Sequence, residues 1–295
     1  MIALPDDQAA ALRLLMRAGV DAAPTQSPQR RTATVIAVAS GKGGVGKTTI
    51  AVNAAIALAR RGLRTVLVDA DLGTANIDVV MNVRSTYDLS HVLRGHGTIN
   101  EVAVRLEDGL RLIVGASGLE SAADMSPQDR RRLLSELGKL EAEADFIVLD
   151  LGAGISQNVL AFAQAADELL VVTTPEPTAL TDAYALLKVL TRARRTPSRG
   201  LVVNQASTPR EGRQVAERVV SVVARFLGAG LTSWGHILRD EHVALAVRQR
   251  IPVLSRYPRA PASAGISALA GRLAGLTSGQ AEPSGFFRRA VGFFC

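Results

Sequence analysis

One stretch constrains this chain more than any other. An apolar run, Thr34 to Ala39, leads straight into Ser40-Gly41-Lys42-Gly43-Gly44-Val45-Gly46-Lys47-Thr48-Thr49, and a helical pattern follows. The spacing satisfies G-x-x-x-x-G-K-[ST], a phosphate-binding loop between a strand and a helix. Glycines let successive backbone N–H groups turn toward one anion without Cβ clashes. The start of the helix adds a partial positive charge. Lys47 is placed to reach the β- and γ-phosphates of a nucleotide, and the Thr48 hydroxyl to ligate Mg²⁺. Gly41, Gly43 and Gly46 also fit the G-x-G-x-x-G of dinucleotide folds. That motif has no need of the Lys47-Thr48 pair, so the phosphate loop is the reading kept.

The rest of the chain repeats the strand–helix theme. Apolar runs TVLVDAD, LRLIVGAS, FIVLDLG, ELLVVTTP and GLVVNQA alternate with helical stretches such as TTIAVNAAIALARRG, SQNVLAFAQAA and TALTDAYALLKVLTRA. Another helix is expected from about Glu211 to Leu227. Unbroken apolar runs indicate strands buried on both faces. The alternation predicts an α/β fold: a doubly wound, mainly parallel sheet with helices on both faces.

Composition narrows the function classes. The 295 residues are 47% hydrophobic, enough for one large domain with a sizeable core or for two small domains. No apolar run reaches the length of a membrane span. The opening MIALPDDQAAALR carries two acids and no basic region before its apolar stretch, unlike a secretory signal. The lone cysteine, Cys295, excludes an internal disulfide, a C-x-x-C metal site and an iron–sulfur cluster held by this chain alone. Cytoplasmic residence is therefore the expectation. The net charge of +7 is compatible with nucleic acid, an anionic membrane or phosphate ligands, and equally with a surface merely rich in arginine.

Phosphoryl transfer needs a metal and an oriented water. Both call for carboxylates beyond the C-terminal ends of strands near the loop. TVLVDAD ends in Asp69 and Asp71, and FIVLD ends in Asp150.

Lys42 distinguishes this loop from an ordinary one. KGGVGKT resembles the deviant Walker motif of MinD/ParA-type ATPases, and the resemblance extends over about residues 33–275. It implies an ATPase that dimerises on ATP, with Lys42 reaching the partner's nucleotide in trans, like an arginine finger. It implies that Asp71, in the first switch, positions the attacking water. Asp150 would hold Mg²⁺ through water, and Asp71 joins Thr48 and Asp150 around the metal. Gly152 and Gly154 would form the second switch, and Asn204 would recognise adenine. The loop backbone from Gly41 to Thr49 completes the expected nucleotide site.

Within that family, Ala166 to Leu190 and Asp7-Gln8-Ala9-Ala10-Ala11-Leu12-Arg13 resemble the flagellar-number regulators of the FlhG/FleN type. That implies control of flagellar number or placement, and stimulation of an FlhF-type GTPase through Gln8 and Arg13. A basal-body or transcription-factor partner stays open, and nucleic acid is not among the expected partners. A ParA-like partitioning ATPase and a MinD-like division-site regulator are the alternatives. Departures are Leu238, where the G-x-I-P-x-D loop near the base usually has Pro, and Thr74 after the D-x-D pair.

The expected organisation is a helix over 1–18, a Pro- and Gln-rich linker over 19–32, the ATPase domain over 33–277, and a linker with a terminal helix over 278–295. On that last helix Phe286, Phe287, Ala290, Val291, Phe293 and Phe294 span an arc of roughly 160°, with Arg288 and Arg289 opposite. Such a pattern suits a helix lying in a membrane surface, and it resembles the membrane-targeting helix of MinD. The ATP-bound protein is then expected peripherally on the inner membrane. The other reading is a helix that covers an apolar groove of its own domain.

Overall fold

Along β1 (Thr34–Ser40), Val35, Ala37 and Ala39 enter one buried cluster while Ile36 and Val38 enter another. Successive side chains of a strand point to opposite faces, so a strand covered on both sides must be apolar throughout. The computed structural model that shows this describes residues 33–71, 75–115, 127–193, 197–278, 285–286 and 289–290. After β1 come α1 (Lys47–Ala59), β2 (Thr65–Ala70), α2 (Ile77–Met81), β3 (Ala103–Arg105), β4 (Arg111–Ile113), α3 (Pro127–Glu143) and β5 (Phe146–Ala153). Then follow α4 (Gln157–Ala165), β6 (Glu168–Thr173), α5 (Pro177–Thr191), β7 (Ser198–Ala206), α6 (Pro209–Leu227), β8 (Thr232–Leu238), α7 (Glu241–Gln249) and α8 (Pro261–Ala274), with short helical turns between some of them.

The eight strands form one sheet in the order β3-β4-β2-β5-β1-β6-β7-β8. Every pairing is parallel except β3 with β4. Leu137 of α3, Phe162 of α4, Leu186 of α5 and Val215 of α6 fill the core on one face of the sheet. Ile50 and Leu58 of α1 and Ile266 and Leu269 of α8 fill the other. This is the doubly wound sheet that the alternation predicts. β1 lies between β5 and β6, and the chain leaves it toward β2 on one side and returns to β6 on the other. The crevice of such a sheet opens at that switch point, beyond the C-terminal end of β1.

Two strands were not foreseen. β3 is a three-residue antiparallel edge. In β8, Ile237 is the one buried hydrophobic residue, so TSWGHIL carries no apolar run to betray it. Gly235 to Leu238, read from sequence as a loop, thus belongs to β8. Asp240 just beyond caps α7 by accepting from the His242 backbone N–H.

α6 shows how local chemistry sets a boundary. Its helix starts two residues before the expected Glu211, because Thr208 caps it and Pro209 fits the first turn. Gly212, Val215, Ala216, Val219 and Val223 make its buried stripe.

Candidate nucleotide-binding site

The loop leaves β1 at Ser40, whose hydroxyl donates to the Lys42 carbonyl at 2.9 Å. Gly44 and Gly46 take φ of 79° and 87°, a left-handed backbone that disfavours any side chain. α1 then starts at Lys47 with no side-chain cap and no acid in its first turn. The N–H groups of that turn have no intrahelical acceptors, which leaves them directed at an anion. Gly41 is needed for another reason. A Cβ there would lie 2.1 Å from the Asp182 carbonyl oxygen of α5, so helix and loop touch through a hydrogen alone.

The two lysines of the loop diverge. Lys47 turns inward, with Nζ 2.6 Å from Asp150 Oδ1 and both side chains buried. Burial holds the Asp150 carboxyl above its usual range, outweighing the opposing pull of the Lys47 ammonium and the Thr48 hydroxyl. Lys42 points outward. Its ammonium donates to Glu176 Oε1 and to Thr178 Oγ1, each at 2.7 Å, at the start of α5.

The three acids at the strand ends come together. Asp69 and Asp150 are register partners on β2 and β5. Asp69 is fully enclosed, and burial pushes it up to about 6 against its backbone N–H bonds, with the Asp150 charge adding to the rise. The Asp71 charge also acts on Asp150. A methyl group built on Gly152 would stand 3.4 Å from Asp71 Oδ1, so the two expected switch segments adjoin. Gly154 has φ of 92°, and its N–H donates to the Ser40 carbonyl at 2.9 Å, joining the second segment to the end of β1.

Asn204, near the end of β7, donates from Nδ2 to the Val45 carbonyl at 2.8 Å. A Cβ on Gly46 would meet that amide at 2.3 Å. Asn204 thus braces the loop through its Nδ2.

Thr48, Asp71 and Asp150 present hard oxygens to one crevice. Mg²⁺ keeps several waters and takes one or two carboxylates, so this donor set fits it. Among the described residues no group of three or more His, Cys, Asp or Glu forms a closed metal cage.

The structure therefore gathers Gly41 to Thr49, Asp71, Asp150, Gly152 and Asn204 around the end of β1. Glu176 and Thr178 join them as the partners of Lys42, which sequence reasoning missed. They lie more than a hundred residues from it, and nothing local marks them. Gln8, Arg13, Phe287, Val291, Phe293 and Phe294 lie outside the described residues.

Phe286 needs a correction. It does not face outward for a membrane but is buried in the core, its ring stacked on Phe162 with centroids 6.3 Å apart. Ala290 is buried too, and Arg289 donates to the Ala165 carbonyl at 2.9 Å and to Asp167 Oδ1 at 2.6 Å. These residues follow the groove-covering reading, because the apolar side of the turn finds apolar surface on α4.

Comparison with known proteins agrees with the geometry. The AAA-domain family AAA_31 matches residues 33–203. Antiactivator FleN of Pseudomonas aeruginosa is 39% identical over 236 residues, covering 80% of this chain and 84% of that protein. The flagellum site-determining protein YlxH of Helicobacter pylori is 39% identical over 188 residues, 63% of each chain. The cell division ATPase MinD of Pyrococcus furiosus superposes with a TM-score of 0.69 at 28% identity, covering 82% of this chain and 99% of that one.

Proposed function

Because the chain belongs to the MinD/ParA-type P-loop ATPases, with FleN and YlxH among its relatives, we propose that it is an ATP-switched dimer that sets flagellar number or placement. The observation that carries the switch is the divergence of the two loop lysines. Lys47 serves the chain's own crevice. Lys42 extends away from it, so its ammonium is available to a nucleotide held by a facing copy once Glu176 releases it.

In this reading the α1 N–H groups and Lys47 hold the phosphates, and Lys47 gives up Asp150 to do so. Thr48, Asp71 and Asp150 would hold Mg²⁺, which would supply charge neutralisation on the phosphate oxygens. The Asp71 carboxylate orients the attacking water. Lys42 of the facing copy places positive charge where the transition state builds negative charge. Gly152 and Gly154 give the second switch the freedom to move on hydrolysis. Asn204 offers its amide oxygen to the base.

The tails couple the switch to its surroundings. The segment with Gln8 and Arg13 stimulates an FlhF-type GTPase, Gln8 orienting water and Arg13 meeting phosphate charge. Phe287, Val291, Phe293 and Phe294 attach the protein peripherally to the cytoplasmic membrane. Ten residues bind weakly alone, so two copies in one dimer make attachment depend on ATP. None of the described helices is long and apolar enough to cross a membrane.

Lys42→Ala tests the core of this reading. The variant is expected to bind ATP through Lys47 and the loop yet to remain monomeric by light scattering and to lose turnover. Normal hydrolysis by a monomeric variant would refute the assignment.

A further inference from the structure

Asp69 has no role in the account above, although it is as fully enclosed as Asp150. Its carboxylate is fully engaged by backbone. Oδ1 accepts from the Asp71 N–H at 3.2 Å, and Oδ2 accepts from the N–H groups of Asn76 and Ile77 at 2.9 and 3.0 Å. One side chain at the end of β2 therefore holds the backbone at Asp71 and again at Asn76 and Ile77. The donors are ones a fold does not satisfy by default. Ile77 is the first residue of α2 and Asn76 its cap position, so neither N–H has an intrahelical acceptor. The Asn76 side chain does not cap the helix. The opposite flank is closed as well: a Cβ on Gly115 would meet Ala75 Cβ at 2.8 Å and the Asp69 carbonyl at 2.9 Å.

We infer that Asp69 is a positioning residue for hydrolysis: its carboxylate holds the backbone N–H of Asp71 and those of Asn76 and Ile77, and thereby fixes Asp71 against Gly152. It acts through Asp71 and not on the nucleotide. The inference rests on the reading of Asp71 as the water-orienting acid.

The informative change is Asp69→Asn, which keeps the shape. An amide oxygen still accepts, but its NH₂ must face either the Asp71 N–H or the Asn76–Ile77 pair, donor against donor. One of the two holds is lost while packing is kept. Turnover and equilibrium binding of a fluorescent ATP analogue are measured on the full chain for wild type, Asp69→Asn, Asp71→Ala and the double variant. The expected result is a loss in kcat of at least tenfold for Asp69→Asn, nucleotide affinity within threefold of wild type, and a double variant no slower than Asp71→Ala alone. Losses that multiply in the double variant, affinity that falls in proportion to kcat, or turnover within twofold of wild type would each overturn the inference. An Asp71→Ala protein with full turnover would instead remove the reading of Asp71, and the inference with it; that result is visible in the single variant. Amide hydrogen exchange on the wild type needs no variant that folds. The N–H groups of Asp71, Asn76 and Ile77 should be protected, and free exchange at Asn76 and Ile77 contradicts the inference.

Discussion

Removing Lys47 should do more than abolish phosphate contact. Its ammonium is the charge partner of a carboxylate that is almost wholly enclosed. Burial keeps Asp150 above its ordinary range even with that partner in place. Lys47→Ala leaves the carboxylate with the Thr48 hydroxyl alone, and stranding one member of a buried ion pair costs about 3–5 kcal/mol. The lower figure applies here because Asp150 can take up a proton. With a urea m-value of about 3 kcal/mol/M, a loss of about 3 kcal/mol moves the unfolding midpoint down by about 1 M. The pH dependence has a definite sign. A raised folded pKa means that the group's contribution is favourable below its unfolded value and is lost as pH rises through the folded one. The deficit of Lys47→Ala should therefore be largest near pH 8 and shrink toward pH 5. Adding Asp150→Asn removes the stranded charge and should restore most of the midpoint at pH 8. Urea titrations followed by circular dichroism, without nucleotide or Mg²⁺, decide the matter. A Lys47→Ala midpoint equal to wild type, or a double variant less stable than Lys47→Ala, refutes the reasoning.

Three further outcomes are expected. Asp69, pushed from 3.8 up to about 6, should favour the fold below pH 4 and lose that contribution between pH 4 and 6; the difference in stability between wild type and Asp69→Asn, measured without nucleotide at pH 5 and 7.5, should show that slope, and a flat difference would contradict it. Glu176→Ala frees the Lys42 ammonium from its carboxylate partner, so ATP-dependent dimerisation seen by light scattering should occur at lower protein concentration, whereas a weaker dimer would mean that Glu176 aids the active arrangement. A peptide of residues 1–23 should accelerate GTP hydrolysis by an FlhF-type GTPase and lose the effect with Gln8→Ala or Arg13→Ala; an inert peptide would restrict the segment to a structural part.

How far the sequence spoke depended on how local each feature is. The phosphate loop is legible because its chemistry sits in consecutive residues, and β1 because two-sided burial forces an unbroken apolar run. β8 was hidden because an edge strand that buries Ile237 alone need not look apolar. The partner of Lys42 was hidden because Glu176 reaches it only after α5 packs beside the loop. The D-x-D pair was visible as two acids, but the backbone N–H groups of Asn76 and Ile77 that engage Asp69 lie seven and eight residues downstream, where no local pattern marks them. The tail shows a different kind of ambiguity. An apolar face opposite arginines reads the same whether it meets lipid or protein, and in this structure Phe286 and Ala290 meet protein.

The hydrogen-sized gap between Gly41 and Asp182 ties the geometry of the loop to that of α5. No side chain fits between them, so neither can drift toward the other. At the N-terminal end of the same helix Glu176, Pro177 and Thr178 are exposed, so the contact ties the buried loop to a surface element. Any displacement of the helix toward the loop would press backbone against backbone. The phosphate loop and α5 therefore hold one geometry between them, set by backbone and not by any exchangeable side chain.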